Sequence, residues 1–128
     1  MSCIFASASE QARANAATLI GCYLIAYHGA SPDQILAMFD EHNIGPFVPF
    51  RDAGAAISTY NLSVRDVLMG FHRGMGLGWI DLRNFNPEEY EHYEQPENGD
   101  WNWIVPGKFL AFAGPTSALP PCATLRPC

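Results

Sequence analysis

Residues 12 to 27, ARANAATLIGCYLIAY, contain no helix breaker except Gly21 and set apolar groups almost all the way round a helix. A helix without a polar face needs cover on more than one side, so the expected arrangement is a central helix packed on a sheet. Gly29 closes it. Ser31, Pro32 and Gln34 then supply an N-cap, a proline in the first turn and a capping-box partner for a second helix, running to about Glu41 with Ile35, Leu36, Met38 and Phe39 inward.

Ile44 to Ala56 sets Gly45, Pro46, Pro49 and Gly54 around Phe47, Val48 and Phe50, the pattern of an irregular connection with aromatic anchors. A third helix starts at Ser63, with Asp66 at the capping-box position and Val64, Val67, Leu68 and Phe71 on one stripe. Gly74, Gly76 and Gly78 are expected to end it. Asn86 and Pro87 begin a short acidic helix through Tyr93. Trp101 to Val105 and Lys108 to Phe112 read as two strand pieces separated by a turn or bulge at Pro106 and Gly107, with Gly99 serving a second turn. Trp101, Trp103, Phe109 and Phe112 are expected in the core. Fold class on this pattern is α/β: a central sheet flanked by helices, helix-rich in this chain.

A length of 128 residues fits one domain. The formal net charge is −6, and Lys108 is the single lysine. With no basic stripe to meet phosphates, nucleic-acid binding is disfavoured. No apolar run approaches the ~20 residues of a membrane span. The first residues, MSCIFASASEQ, lack the positive segment of a secretory signal, so the chain reads as intracellular. Cys3, Cys22, Cys122 and Cys128 are too scattered for a disulfide framework. His28, His42, His72 and His92 show no metal-ligand spacing, and neither metal nor cofactor is implied. Arg51 and Asp52 are expected to form an ion pair or loop hydrogen bonds.

Glu91, Glu94, Glu97 and Asp100 crowd together with no lysine or arginine among them. Like charges so close repel and gain little from packing, so they suit a face that attracts cationic peptides. Most acidic runs, however, are solvated helix ends and loops.

Taken together, RANAATLIGCYLI, the SPDQI helix start, PFRDA, YNLS and EYEHYEQPENGDWNWIVPGKFLAF resemble the N-terminal, non-catalytic domain of the cell-division-cycle dual-specificity phosphatases of mitotic exit. The likeness runs from about Arg13 to Pro115. It implies residues 1–115 as a partial phosphatase-like domain and 116–128 as a proline-rich tail expected to be disordered. It further implies two tandem domains, of which only the second carries the catalytic cysteine, five residues and arginine. In that family the first domain helps shape the substrate groove, and its acidic positions, Glu91, Glu94 and Asp100 here, favour a basic residue downstream of phosphoserine-proline. The implied partners are a phosphoprotein or basic peptide substrate and a phosphatase catalytic domain. Nucleus and spindle or centrosome regions are the implied location.

No Cys-five residues-Arg loop occurs in the chain, so it is expected to be inactive alone. Ser7 and Arg13 have the five-residue gap but lack a thiolate, and the intervening ASEQA has no glycine and one carboxylate; the pair reads as a relic. The family has strands upstream of the RANAA helix that this chain lacks, which predicts an uncovered edge or apolar helix face. Three hypotheses follow: a substrate-recognition module docked on a catalytic domain, an intact phosphatase, or a free-standing interaction protein binding basic peptides or the parent phosphatase.

Overall fold

The computed structural model describes residues 9–51 and 56–114. The chain divides into two compact units, Met1–Leu77 and Gly78–Cys128. Ser7, Asp52, three of the cysteines and the proline-rich tail lie outside the described residues.

Among the described residues the first unit is an assembly of three helices, α1 (Glu10–His28), α2 (Pro32–Glu41) and α3 (Val64–Gly76). The starts of α2 and α3 have the chemistry their sequence predicts. Ser31 accepts from the Gln34 N–H while the Gln34 side chain accepts from the Ser31 N–H at 2.8 Å. Ser63 and Asp66 make the same reciprocal pair, the Asp66 carboxylate accepting from the Ser63 N–H at 2.9 Å and from its hydroxyl at 2.6 Å. Gly29 ends α1 at φ 64°, a left-handed conformation that favours glycine. α3 buries Gly74 and ends at Gly76, within the glycine run expected to end it.

Those hydrogen bonds from Ser63 hold the Asp66 carboxyl below the usual carboxylate range. The folded state therefore binds that proton less readily than the unfolded chain, so the cap's contribution is present above the ordinary carboxylate pKa and is lost as pH falls through the lowered one. A far-ultraviolet circular dichroism titration is expected to keep its helical signal down to that acidic window. Asp66→Asn should flatten this part of the profile, and an unchanged profile would exclude the cap as the titrating group.

The core of this unit is Ala14, Ala17, Ile25, Ile35, Phe39, Val64 and Leu68. Small residues on α1 let α3 approach closely. A Cβ built on Gly21 would lie 2.5 Å from Leu68 Cδ2, inside contact distance. Phe47, Val48 and Phe50 pack against the core as predicted, Phe47 edge-on to Phe39 at 5.5 Å. Phe50 and Leu62 exchange backbone hydrogen bonds of 2.7 and 3.0 Å, which close the loop between α2 and α3. Arg51 donates to the Ala56 carbonyl, the loop hydrogen bond foreseen for it.

Nothing among the described residues of this unit covers the α1 stripe of Leu19, Tyr23 and Tyr27, which are 72%, 54% and 69% exposed. These positions are four apart and share a face. The all-round apolar helix is thus half-covered among the described residues.

The second unit contains α4 (Pro87–Tyr93), a single 3₁₀ turn at Pro96–Asn98, β1 (Trp101–Val105) and β2 (Phe109–Phe112). The strands pair antiparallel with Trp101 opposite Phe112 and Trp103 opposite Leu110; the register shifts between Trp103 and Val105, as a bulge requires. Gly107, at φ 71°, sits in the connecting turn. The architecture is mixed α/β and helix-rich. A central sheet flanked by helices is not found among the described residues, where the sheet is this two-stranded hairpin.

A two-layer core needs a second surface, and among the described residues of this unit α4 is the helix that packs on β1. Consequently Trp103, Phe109 and Phe112 are exposed, against the expectation that they form core, and Trp101 is half-buried. Val105 is the buried strand residue.

Candidate functional site

Glu91, Glu94 and Asp100 lie on the segment that joins α4 to the hairpin. Asn86 starts α4, its side-chain oxygen accepting from the N–H groups of Glu88 and Glu89 at 3.1 and 3.2 Å. Pro87 fits the first turn because its missing N–H would have no partner there. Helical spacing then puts Glu91, in the last turn, and Glu94, at the C-cap, on one side, with Cβ atoms about 5–6 Å apart. Both are exposed.

Asp100 is fixed by its backbone. Its N–H donates to the Gln95 carbonyl at 3.1 Å, and its carbonyl accepts from the Ala113 N–H at 2.9 Å. It has φ 49°, and the preceding Gly99 has φ 110°. Asn98 braces the same turn, donating to the His92 carbonyl at 2.7 Å. These bonds seat a half-buried Asp100 at the entrance of β1. Among the described residues none of the three carboxylates enters an ion pair or a side-chain hydrogen bond, so each is left to solvent or to a ligand.

Sequence reasoning missed the neighbouring cavity. About 570 Å³ in volume, it is walled by the aromatic rings of Trp79, Phe85, Tyr90, Tyr93, Trp101 and Trp103, with the acidic residues Asp81 and Glu89 also in its lining. Tyr93 stacks on Trp101 at 4.2 Å, and Trp103 stands edge-on to Trp101 at 6.0 Å. The available signal was Trp79 and Phe85, aromatic residues outside every predicted element; assigning Trp101 and Trp103 to the core hid it. Asp81 accepts from the Arg83 N–H at 3.0 Å and from the Asn84 amide at 2.6 Å. These bonds, that from Asn84 foremost, hold its carboxyl below the usual range.

Among the described residues no catalytic phosphate loop takes shape. Arg13 lies inside α1, and its guanidinium donates to the Ile44 carbonyl at 2.7 Å. Cys22 is half-buried in the same helix, and burial pushes its thiol pKa up, away from the thiolate a nucleophile needs. Among the described residues there is no group of three or more His, Cys, Asp and Glu that could hold a metal. None of the described helices is long and apolar enough to cross a membrane.

Comparison with known proteins agrees with this picture. The family model described as dual specificity protein phosphatase, N-terminal half, matches residues 1–74. Dual specificity protein phosphatase CDC14A of Mus musculus is 49% identical over 111 residues, which cover 87% of this chain and 18% of that protein. The tyrosine-protein phosphatase cdc-14 of Caenorhabditis elegans is 44% identical over 106 residues, covering 83% of this chain and 15% of that protein. For the tyrosine-protein phosphatase CDC14 homolog of Schizosaccharomyces pombe the identity is 40% over 124 residues, or 97% and 23%. The chain thus spans less than a quarter of the length of these relatives. A family model that fits more than half of the chain, together with relatives that are all CDC14 phosphatases, places it: the chain belongs to the family of dual specificity protein phosphatase N-terminal halves.

Proposed function

We propose that this chain is a non-catalytic, phosphatase-like module that lends an acidic substrate-recognition face to a dual-specificity phosphatase acting on phosphoserine-proline sites. The observation that carries the reading is the presentation of Glu91 and Glu94 on the exposed end of α4, with Asp100 on the adjoining turn and no cationic partner among the described residues. Carboxylates left unpaired in this way raise the local concentration of a basic peptide and steer its approach. Chemistry on the phosphate would come from a catalytic domain, since this chain has no cysteine loop to supply it. Strands of the parent phosphatase would complete a central sheet and cover the α1 stripe.

The test is fluorescence anisotropy of a labelled phosphoserine-proline peptide with a basic residue downstream, at low and at physiological salt. The native chain is expected to bind in a salt-sensitive manner. Glu91→Gln, Glu94→Gln and Asp100→Asn together should weaken binding about threefold to a hundredfold or more, the sum of three exposed charge contacts of about 0.2–1 kcal/mol each. Binding untouched by the three substitutions would overturn the assignment of these residues. Binding that appears only when a catalytic domain is present would favour the docked module over a free-standing interaction protein.

A further inference from the structure

We propose that the cavity beside α4 is a second binding site, which takes an alkylammonium cation, the end group of a lysine side chain or of a choline-like ion. The site is distinct from the acidic face, because Glu91, Glu94 and Asp100 do not line it. Its volume, about 570 Å³, is that of a small-ligand or side-chain pocket. Its walls are what such a cation recognises. Trp101 and Trp103 are set at 82° to each other, so two ring systems meet at a corner, and Tyr93 backs the first of them. Trp79, Tyr90 and Trp103 are each more than two-fifths exposed, which leaves their rings open to a ligand.

Charge selects among the apolar groups that could enter. Asp81 and Glu89 are the acidic residues of the lining, and among the described lining residues there is no lysine or arginine, although Arg83 stands close enough to Asp81 to act on its charge. An aromatic face is negative at its centre and attracts a cation, most strongly when the ring is tryptophan. A neutral hydrocarbon would gain burial alone; an ammonium gains burial of its alkyl substituents, attraction to the rings and attraction to both carboxylates. An anion is disfavoured by the rings and by both carboxylates.

All three tryptophans of the chain line the cavity, so intrinsic fluorescence reads its occupancy directly. The probe is choline, compared on the native chain with its neutral isostere in which carbon replaces the quaternary nitrogen. Choline is expected to change the fluorescence saturably and to bind about tenfold more tightly than the isostere. Asp81→Asn with Glu89→Gln should reduce that preference several-fold. A lysine amide compared with its norleucine counterpart tells a peptide source from a free quaternary ion. Equal responses to charged and neutral members of both pairs, or no response to either cation, would overturn the proposal. Because the probes carry no phosphate and the acidic face keeps its residues, that failure would leave the proposed function standing.

Discussion

Leu68→Ala is expected to lower the stability of the three-helix unit by about 2–5 kcal/mol, a large fraction of the total stability of a small domain. Leu68 has no exposed surface and is one of the two largest fully buried side chains, so truncation removes contacts that water does not replace. Alanine is the better helix former, so none of this cost comes from backbone propensity. Nor does the site collapse easily, since Gly21 across the contact has no side chain to move in. The same geometry supplies a cross-check. An added Cβ at Gly21 meets Leu68 Cδ2 at 2.5 Å and Cδ1 at 3.0 Å, so Gly21→Ala alone is crowded. With Leu68 truncated those atoms are gone, and the new methyl group partly fills the gap while gaining about 1 kcal/mol of helix propensity. Urea unfolding followed by circular dichroism should therefore show the double variant more stable than Leu68→Ala by itself. Additive losses would mean that the two residues do not share one contact.

The features legible in the sequence were local. Ser31 with Gln34, Ser63 with Asp66 and Asn86 with Glu88 and Glu89 each mark a helix start by a hydrogen bond closed within four residues, so the pattern contains its own geometry. Ile35, Phe39, Val64 and Leu68 were readable for a similar reason, since helical period alone puts them on one face. Placement of Trp103, Phe109 and Phe112 depends instead on whether another layer covers the hairpin, which no pattern within the strands encodes. Strand alternation tells which rings share a face and is silent on what lies above it. The acidic triad was visible as composition, yet its presentation rests on Gly99 and Asp100 at positive φ and on the bond from Ala113 to the Asp100 carbonyl. The cavity was hidden because its rings come from three separate stretches, around Trp79, Tyr90 and Trp101, and only the fold of the second unit gathers them.

Trp101→Ala is expected to cost the second unit about 2–3 kcal/mol, below the full-core value because the ring is half-buried. Trp101 holds two elements together: its ring stacks on Tyr93 of α4, and its backbone begins the strand that pairs with β2. Its ring also occupies the space that a side chain at position 99 would need, a Cβ there lying 2.9 Å from Trp101 Cδ1, so the turn that carries Asp100 is shaped around it. A two-stranded hairpin is marginal in water without a packed partner. Removing the ring should therefore expose the hairpin ladder as well as the stack. Amide hydrogen exchange reads this at Ala113, whose N–H donates to the Asp100 carbonyl. Its protection is expected to fall by about thirtyfold or more in Trp101→Ala, the factor that 2 kcal/mol implies, and to be largely retained in Trp101→Phe, which keeps an aromatic face against Tyr93. Protection unchanged in the alanine variant would show that the hairpin stands without the stack; Asp100 would then owe its position to the turn alone.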